Sequence, residues 1–401
     1  MTIDTAARKL AEYMREHDHI RIIGHYDADG IAAASIICHA LLRNGTGFHL
    51  TFRSRLSYEE LYSLKEPLLL CDLGSSYEEL PEGTMVIDHH LPKINGEFHV
   101  NPRLCKLDGE FELSSSGAAY FVAQHLGDNR DLAGLAVAGM IGDHQHMAGK
   151  NYEILNEGIA NGFITADHGL LLPGRDTGER IKYAIHPYLN GLSGRDPDTT
   201  GLDILSGEKE ILSATILKTG DALTEEKIRM LYGDRFMASH EDVEDLHTLT
   251  AIINACGKSG SADTAAAICL RTGSDVKEGW EITRTFRMKV IRDLENARSI
   301  ALNGASAMEV DSPETVSEIA DIIAYEQKID EPIFVISYKD GQLIVSGRYP
   351  PDADTDLGNI LESCAKMHGG DGGGHRLRAG ANVPDKKKEV FFMTLEEAIA
   401  S

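Results

Sequence analysis

No stretch of this 401-residue sequence is long and apolar enough to span a bilayer. The first twenty residues lack the charged start and apolar core of a cleaved leader and read as an amphipathic helix. A cytoplasmic protein with no membrane partner is the expectation. Paired cysteines are also missing. The six (Cys38, Cys71, Cys105, Cys256, Cys269 and Cys364) are scattered, form no Cys-x-x-Cys, and mostly sit in apolar runs such as ASIICHA and LLLCDL. That excludes a disulfide framework or zinc finger and predicts buried free thiols. Positive charge is scarce: 39 Lys and Arg face 63 Asp and Glu, a formal net charge of −24. A broad basic surface that coats DNA is excluded, although a bound cation or a local basic pocket would still attract phosphate. Aromatics make up 6%, with one tryptophan, Trp280, so no stacking platform for single-stranded bases is evident.

What remains is an ordinary globular composition, 42% hydrophobic and 25% charged, at a length suited to two or three domains. Along the first 160 residues, apolar runs alternate with helical patterns. Strands are expected at 20–24, 48–52, 68–71 and 85–87, and helices at 31–42, 114–126 and 132–141. This predicts an α/β domain with a mostly parallel sheet. Residues 161–307 read as mainly helical. From 308 to 401 a smaller α/β domain is expected. It opens at Ser312-Pro313, a capping Ser before Pro at the first helical position, and continues into a hairpin around Asp340-Gly341. A helix over 357–367, a glycine cluster at 369–374 and a strand over 376–383 complete it.

Acidic and histidine residues gather where the apolar runs end. His25, Asp27 and Asp29 follow the first strand, and period-two spacing in an extended segment would set them on one side. Asp72 follows LLLC, Asp88-His89-His90 follow TMVI, and Asp143 closes a helical run. His144 and His146, close behind, are expected in an exposed loop. Ligands collect at the carboxyl ends of strands in open α/β sheets. Carboxylates mixed with imidazoles, without thiolates, suit a divalent ion such as Mn²⁺ better than structural zinc. So many groups exceed the needs of one ion; two ions about 3.5–4 Å apart on a shared carboxylate would use them.

HYDADG, CDLG, DHH and IGD, in this order and spacing, resemble the four motifs of the DHH phosphoesterase superfamily. Gly369–His375 resembles the GGGH motif of the family's C-terminal domain. IGDHQ, PYLNGLSG and NACG are similar to segments of the archaeal RecJ-like proteins. The resemblance implies Asp27, Asp29, Asp72, His89 and Asp143 as ligands of two divalent ions, Mn²⁺ first and Mg²⁺ second, with Asp72 as the bridge. It implies His90 facing the phosphate and Asp88 orienting a histidine or the backbone. His25, separated from Asp27 by Tyr26 alone, is a ligand, a phosphate contact or a partner of one. Arg348, Gly372, Gly373, Gly374, His375 and Arg378 are the implied substrate-binding residues. Ser116 and Gly117 offer a helix N-terminus either to phosphate or to ordinary capping.

The expected activity is two-metal hydrolysis of terminal phosphodiester bonds in single-stranded DNA or RNA, a RecJ-like exonuclease. Two alternatives stand beside it: a phosphodiesterase for oligoribonucleotides or cyclic dinucleotides, and a non-catalytic replication scaffold that binds the GINS complex.

Overall fold

Thr2 opens the first helix, α1 (Ile3–Met14), by accepting the Thr5 N–H on its hydroxyl at 3.2 Å. One face then buries Ile3, Leu10, Met14 and three alanines, the amphipathic pattern the sequence predicts. This computed structural model describes residues 1–202, 207–220, 224–273, 275–326, 329–350, 353 and 355–400. It comprises two compact units: Met1–Gly169 with Asp234–Thr283, and Leu170–Gly233 with Arg284–Ser401.

In the first unit β1 (His19–Gly24), α2 (Ala28–Arg43), β2 (Gly47–Phe52), α3 (Tyr58–Ser63), β3 (Leu68–Cys71), β4 (Met85–Ile87) and β5 (Phe98–Val100) succeed one another. The five strands form one parallel sheet, ordered β2-β1-β3-β4-β5. β3 and β4 are buried at every residue, as unbroken apolar runs in a two-faced parallel sheet should be. Three helices follow: α4 (Ser115–Leu126), α5 (Ala133–Gly142) and α6 (Gly149–Ala160). Small residues let α2, α4 and α5 lie close together. A Cβ on Gly139 would come within 2.2 Å of Ser116 Oγ and 2.7 Å of Asp29 Oδ1.

The register fixes where the site falls. Gly24 pairs with Cys71, Cys71 with Ile87, and Ile87 with Val100. His25, Asp72 and Asp88 are therefore each the first residue beyond a strand, on three adjacent strands. The sequential order reverses between β1 and β3, and such a switch point opens a crevice at the carboxyl edge.

Among its described residues, the stretch read as helical contains three whole strands, two of which pair with each other. β6 (Ile164–Leu170) leads into α7 (Thr177–Lys182), α8 (Pro197–Thr200), α9 (Glu208–Thr219) and α10 (Glu225–Leu231), and β7 (Tyr232–Ala238) pairs with β6. Polar residues such as Asp167, His168, Asp234 and Arg235 break the apolar alternation that identifies a strand, and Asp167 pairs with Arg235 at 2.8 Å instead. The helices α11 (Leu246–Lys258), α12 (Ala262–Cys269) and α13 (Val276–Glu295) follow.

The later part of the second unit has β8 (Arg298–Ile300), β9 (Ser306–Glu309), α14 (Val316–Glu326), β10 (Ile333–Lys339), β11 (Gln342–Arg348), α15 (Leu357–Met367), β12 (Asp371–Gly374), β13 (Arg378–Pro384) and α16 (Lys388–Ala400). Its mixed sheet is ordered β12-β13-β11-β10-β9-β8. The expected hairpin joins β10 and β11 through Asp340-Gly341. Pro313 starts a helical turn as expected, but the Ser312 hydroxyl makes no capping bond. Asp293 braces the turn instead, accepting from Ser312 N and Thr315 Oγ1. All six cysteines are free, five of them buried. Among the described residues no helix is long and apolar enough to cross a membrane.

Candidate functional site

The segment after β1 does not stay extended, so the period-two placement fails. Asp27 is the N-cap of α2, its carboxylate accepting Gly30 N–H at 3.0 Å, and Asp29 lies in the first helical turn. Helix geometry, not strand alternation, turns both carboxylates toward the strand ends. Asp29 is buried at the start of α4, where Ser115 and Ser116 donate their backbone N–H groups to it at 2.7 and 3.0 Å. Gly117 N–H goes to Ser114 Oγ. The helix N-terminus considered for phosphate is thus held by Asp29 and Ser114.

Around these, the eight sequence-predicted residues of the first unit converge. Asp72 stands at the centre with its backbone left-handed, φ 57°. Its Oδ1 accepts from Ser115 Oγ at 2.8 Å and lies 3.5 Å from His89 Nε2, while Oδ2 lies 3.4 Å from His25 Nδ1. His25 Nδ1 pairs with Asp27 at 2.8 Å, and His89 Nε2 with Asp143 at 3.3 Å. Within the described residues of the first unit, three groups have ligand atoms close enough to share an ion: His25, Asp27 and Asp72; Asp29, Asp72 and His89; Asp72, Asp88 and His90. Asp72 is common to all three.

Asp88 serves the two histidines after it. Its Oδ1 accepts from His89 N, His90 N and His90 Nδ1 at 2.8, 3.1 and 2.8 Å, and its Oδ2 accepts from Ser75 N at 2.9 Å. The His89 ring is set from behind: Nδ1 bonds the Gly109 carbonyl, to which Gln145 Nε2 also donates at 3.0 Å, leaving Nε2 toward Asp72. Such bonds fix which nitrogen a ligating imidazole presents. Asn101 donates to the His90 carbonyl at 2.9 Å. The loop bearing Asp27 is braced by α11: Asn254 Oδ1 accepts Ala28 N–H at 2.8 Å, and a Cβ on Gly257 would lie 1.6 Å from the Tyr26 carbonyl.

The electrostatics fit cations. Burial first, then the Asp27 charge, pushes Asp72 up to about 7. Burial with Asp29 and Asp27 lifts Asp143 to about 6, against His89. Burial alone would lower His90, but the Asp88 charge and hydrogen bond, with Asp72 and Asp143, raise it to about 10. Asp88 and Asp27 sit well below the ordinary carboxylate range because His90 and His25 outweigh burial. Crowded carboxylates, two of which, Asp72 and Asp143, resist ionisation, together with nitrogen donors and no sulfur, match a divalent-metal site.

The remaining predicted residues lie in the second unit. Gly372, Gly373 and Gly374 form the edge strand β12, paired with Ala381, Gly380 and Ala379. Two of them admit neighbours: a Cβ would come within 2.8 Å of the Leu361 carbonyl at Gly372 and 2.5 Å of the Arg378 carbonyl at Gly374. At Gly373 it would meet open space. His375 and Arg378 close the turn into β13, His375 N–H donating to the Arg378 carbonyl at 2.7 Å. Arg348 is buried, and its guanidinium serves Asp321 at 2.6 Å, Ser346, Ser317 and the Gly347 carbonyl. Arg378 reaches the same Asp321 oxygen at 2.9 Å.

Ser75, Asn101, Gly109, Ser115, Gln145, Asn254 and Gly257 were not singled out as site residues by sequence reading. A polar residue inside an apolar strand end, as in HVNP for Asn101, is the kind of signal that marks such positions.

The comparisons agree with this architecture. The DHH family, N-terminal domain, matches residues 19–140, and the DHHA1 domain matches residues 305–401. An uncharacterised protein of Methanocaldococcus jannaschii is 28% identical over 99% of this chain and 97% of its own length. The single-stranded-DNA-specific exonuclease RecJ of Bacillus subtilis is 25% identical over 56% of this chain, which spans 33% of that protein. Among solved structures, Thermus thermophilus RecJ in complex with Mn²⁺ superposes at TM-score 0.60 with 20% identity, covering 99% of this chain and 54% of that one. CDC45 from Entamoeba histolytica gives 0.65 with 12% identity, covering 98% and 97%. The chain therefore belongs to the DHH superfamily, as a RecJ-like protein with a DHHA1 domain.

Proposed function

We propose that this protein is a divalent-metal-dependent phosphodiesterase that hydrolyses terminal phosphodiester bonds of single-stranded nucleic acid. The observation that carries the reading is the Asp72 carboxylate, common to three groups of ligand atoms at the switch point of a parallel sheet. Asp27, Asp29, Asp72, His89 and Asp143 would hold two ions, Mn²⁺ or Mg²⁺. When bound, such ions supply Lewis-acid charge for the phosphate and an acidified water as nucleophile.

The chain's own groups do the positioning. Asp88 aims the His90 ring by accepting from its Nδ1, so that the other ring nitrogen could donate a hydrogen bond to a phosphate oxygen as negative charge develops. His25 shares its proton with Asp27 and fixes that carboxylate's orientation. In the second unit, Arg378, His375 and the open backbone at Gly373 are the proposed substrate contacts, with Arg348 securing Asp321 beside Arg378. The net charge favours short substrates as a second reading, since little of the surface would attract a long polyanion.

Incubation with Mn²⁺ and end-labelled single-stranded DNA, single-stranded RNA or a dinucleotide tests both readings. Release of mononucleotides by the wild type, lost in Asp72→Ala, is the expected result. Preference for the dinucleotide by orders of magnitude would replace the first reading with the second. No release from any substrate, or undiminished release by Asp72→Ala, would overturn both.

A further inference from the structure

The sequence, poor in aromatics, predicts no stacking surface, yet the first unit carries one. Phe111 lies over His146 with ring centroids 5.0 Å apart and planes 28° from parallel. Both residues are exposed, Phe111 at 41%. A lone exposed aromatic needs no explanation. This one sits on a turn whose hydrogen bonds hold it in place. Asp108 Oδ1 accepts from Glu110 N and Phe111 N at 2.7 and 3.3 Å, and the Glu112 carbonyl accepts from Asn151 N at 2.9 Å.

The same turn is bonded to the candidate metal centre. Gly109, two residues before Phe111, gives its carbonyl to His89 Nδ1, and a Cβ there would come within 2.4 Å of the His89 carbonyl. On the other side, His146 follows Gln145, which donates to the Gly109 carbonyl, and lies three residues after Asp143. Asn151 Nδ2 holds both Gln145 Oε1 and the His146 carbonyl, at 2.8 and 3.1 Å. Both rings are thus carried by segments that bond to His89, and one of them follows Asp143 directly.

We propose that the Phe111–His146 pair seats the nucleobase of the nucleotide whose phosphate is presented to the metal centre. This rests on the proposed function and narrows it to phosphoesters bearing a planar base. The ring is pre-placed, so stacking costs little ordering. It makes no hydrogen-bonded readout of base identity, so all four bases are accepted. A sugar phosphate without a base gains nothing from it.

The test is binding to the full chain with Mn²⁺ present, using 2-aminopurine ribonucleoside 5′-monophosphate as the fluorescent probe and ribose 5-phosphate as the base-free competitor. Wild-type protein should quench the probe. Phe111→Ala should bind it about 10- to 100-fold more weakly, the loss expected for one base on one ring, and Phe111→Tyr should restore it. The affinity for ribose 5-phosphate, obtained from displacement after allowing for the probe's own affinity, should be alike in all three, as should Mn²⁺ affinity. An unquenched probe, a quench indifferent to Phe111→Ala, or equal weakening of probe and ribose 5-phosphate would each overturn the proposal. Hydrolysis of end-labelled single strands by the wild type is scored separately and reports on the proposed function alone.

Discussion

Asp72 concentrates several costs in one residue. Its left-handed backbone is one that an L-residue adopts at about 1–2 kcal/mol, and its carboxylate is buried among four others. A carboxyl raised to about 7 from an ordinary 3.8 is stabilising while protonated and loses that stability as pH climbs from about 4 to 7. Cation binding must displace that proton and the one on Asp143. Mn²⁺ affinity should therefore rise between pH 5.5 and 8, with proton release near neutrality that calorimetry in buffers of different ionisation heat will register. Flat affinity across that window would remove Asp72 and Asp143 from the ligand set. The isosteric Asp72→Asn should bind Mn²⁺ at least 100-fold more weakly. Without metal at pH 8 it should melt a few degrees above wild type, because the buried ionised carboxylate is gone. A lower melting temperature would show that Asp72 stabilises the fold in its own right.

The strand-end carboxylates were legible because each follows an apolar run by one residue, and a parallel sheet aligns such ends. The elements that brace them were not. Asn254 and Gly257 act on Ala28 and Tyr26 across more than two hundred positions, and nothing local to α11 points to that contact. The NACG resemblance marks the residues without giving their task. Strands β6 and β7 were missed because their polar side chains satisfy one another. Gly257→Ala would drive a methyl into the Tyr26 carbonyl, and about 1–3 kcal/mol of overpacking is expected. Asn254→Ala removes the partner of an α2 N-terminal N–H, worth about 1 kcal/mol. Urea midpoints should fall for both, and Mn²⁺ affinity should fall with them. A reduced midpoint with intact Mn²⁺ binding would mean that α11 supports the core alone. At the other end, Gly139→Ala should crowd Ser116 and Asp29, with the same pairing of lost stability and lost metal affinity.

At the scale of the whole molecule, the net charge of −24 bears on how the proposed nucleic-acid substrate would be met. Lys and Arg are outnumbered 39 to 63 by Asp and Glu, so for such a substrate cations in the candidate site and a handful of local groups would have to supply the attraction. Binding of a single strand, followed by fluorescence anisotropy with a divalent ion fixed, should fall with added monovalent salt at a log–log slope shallower than about −2, equivalent to about three phosphates. A slope several times steeper would reveal a basic track.

The first unit is also discontinuous: its N-terminal stretch is completed by Asp234–Thr283, after a long excursion into the second unit. A ribosome therefore delivers every candidate ligand, from Asp27 to Asp143, well before it delivers the helix that braces their loop. At about 5–20 residues per second, the nascent chain spends seconds with its acidic loop in place and unsupported. Completion of the candidate metal centre thereby waits on translation of a segment that contributes none of the candidate ligands.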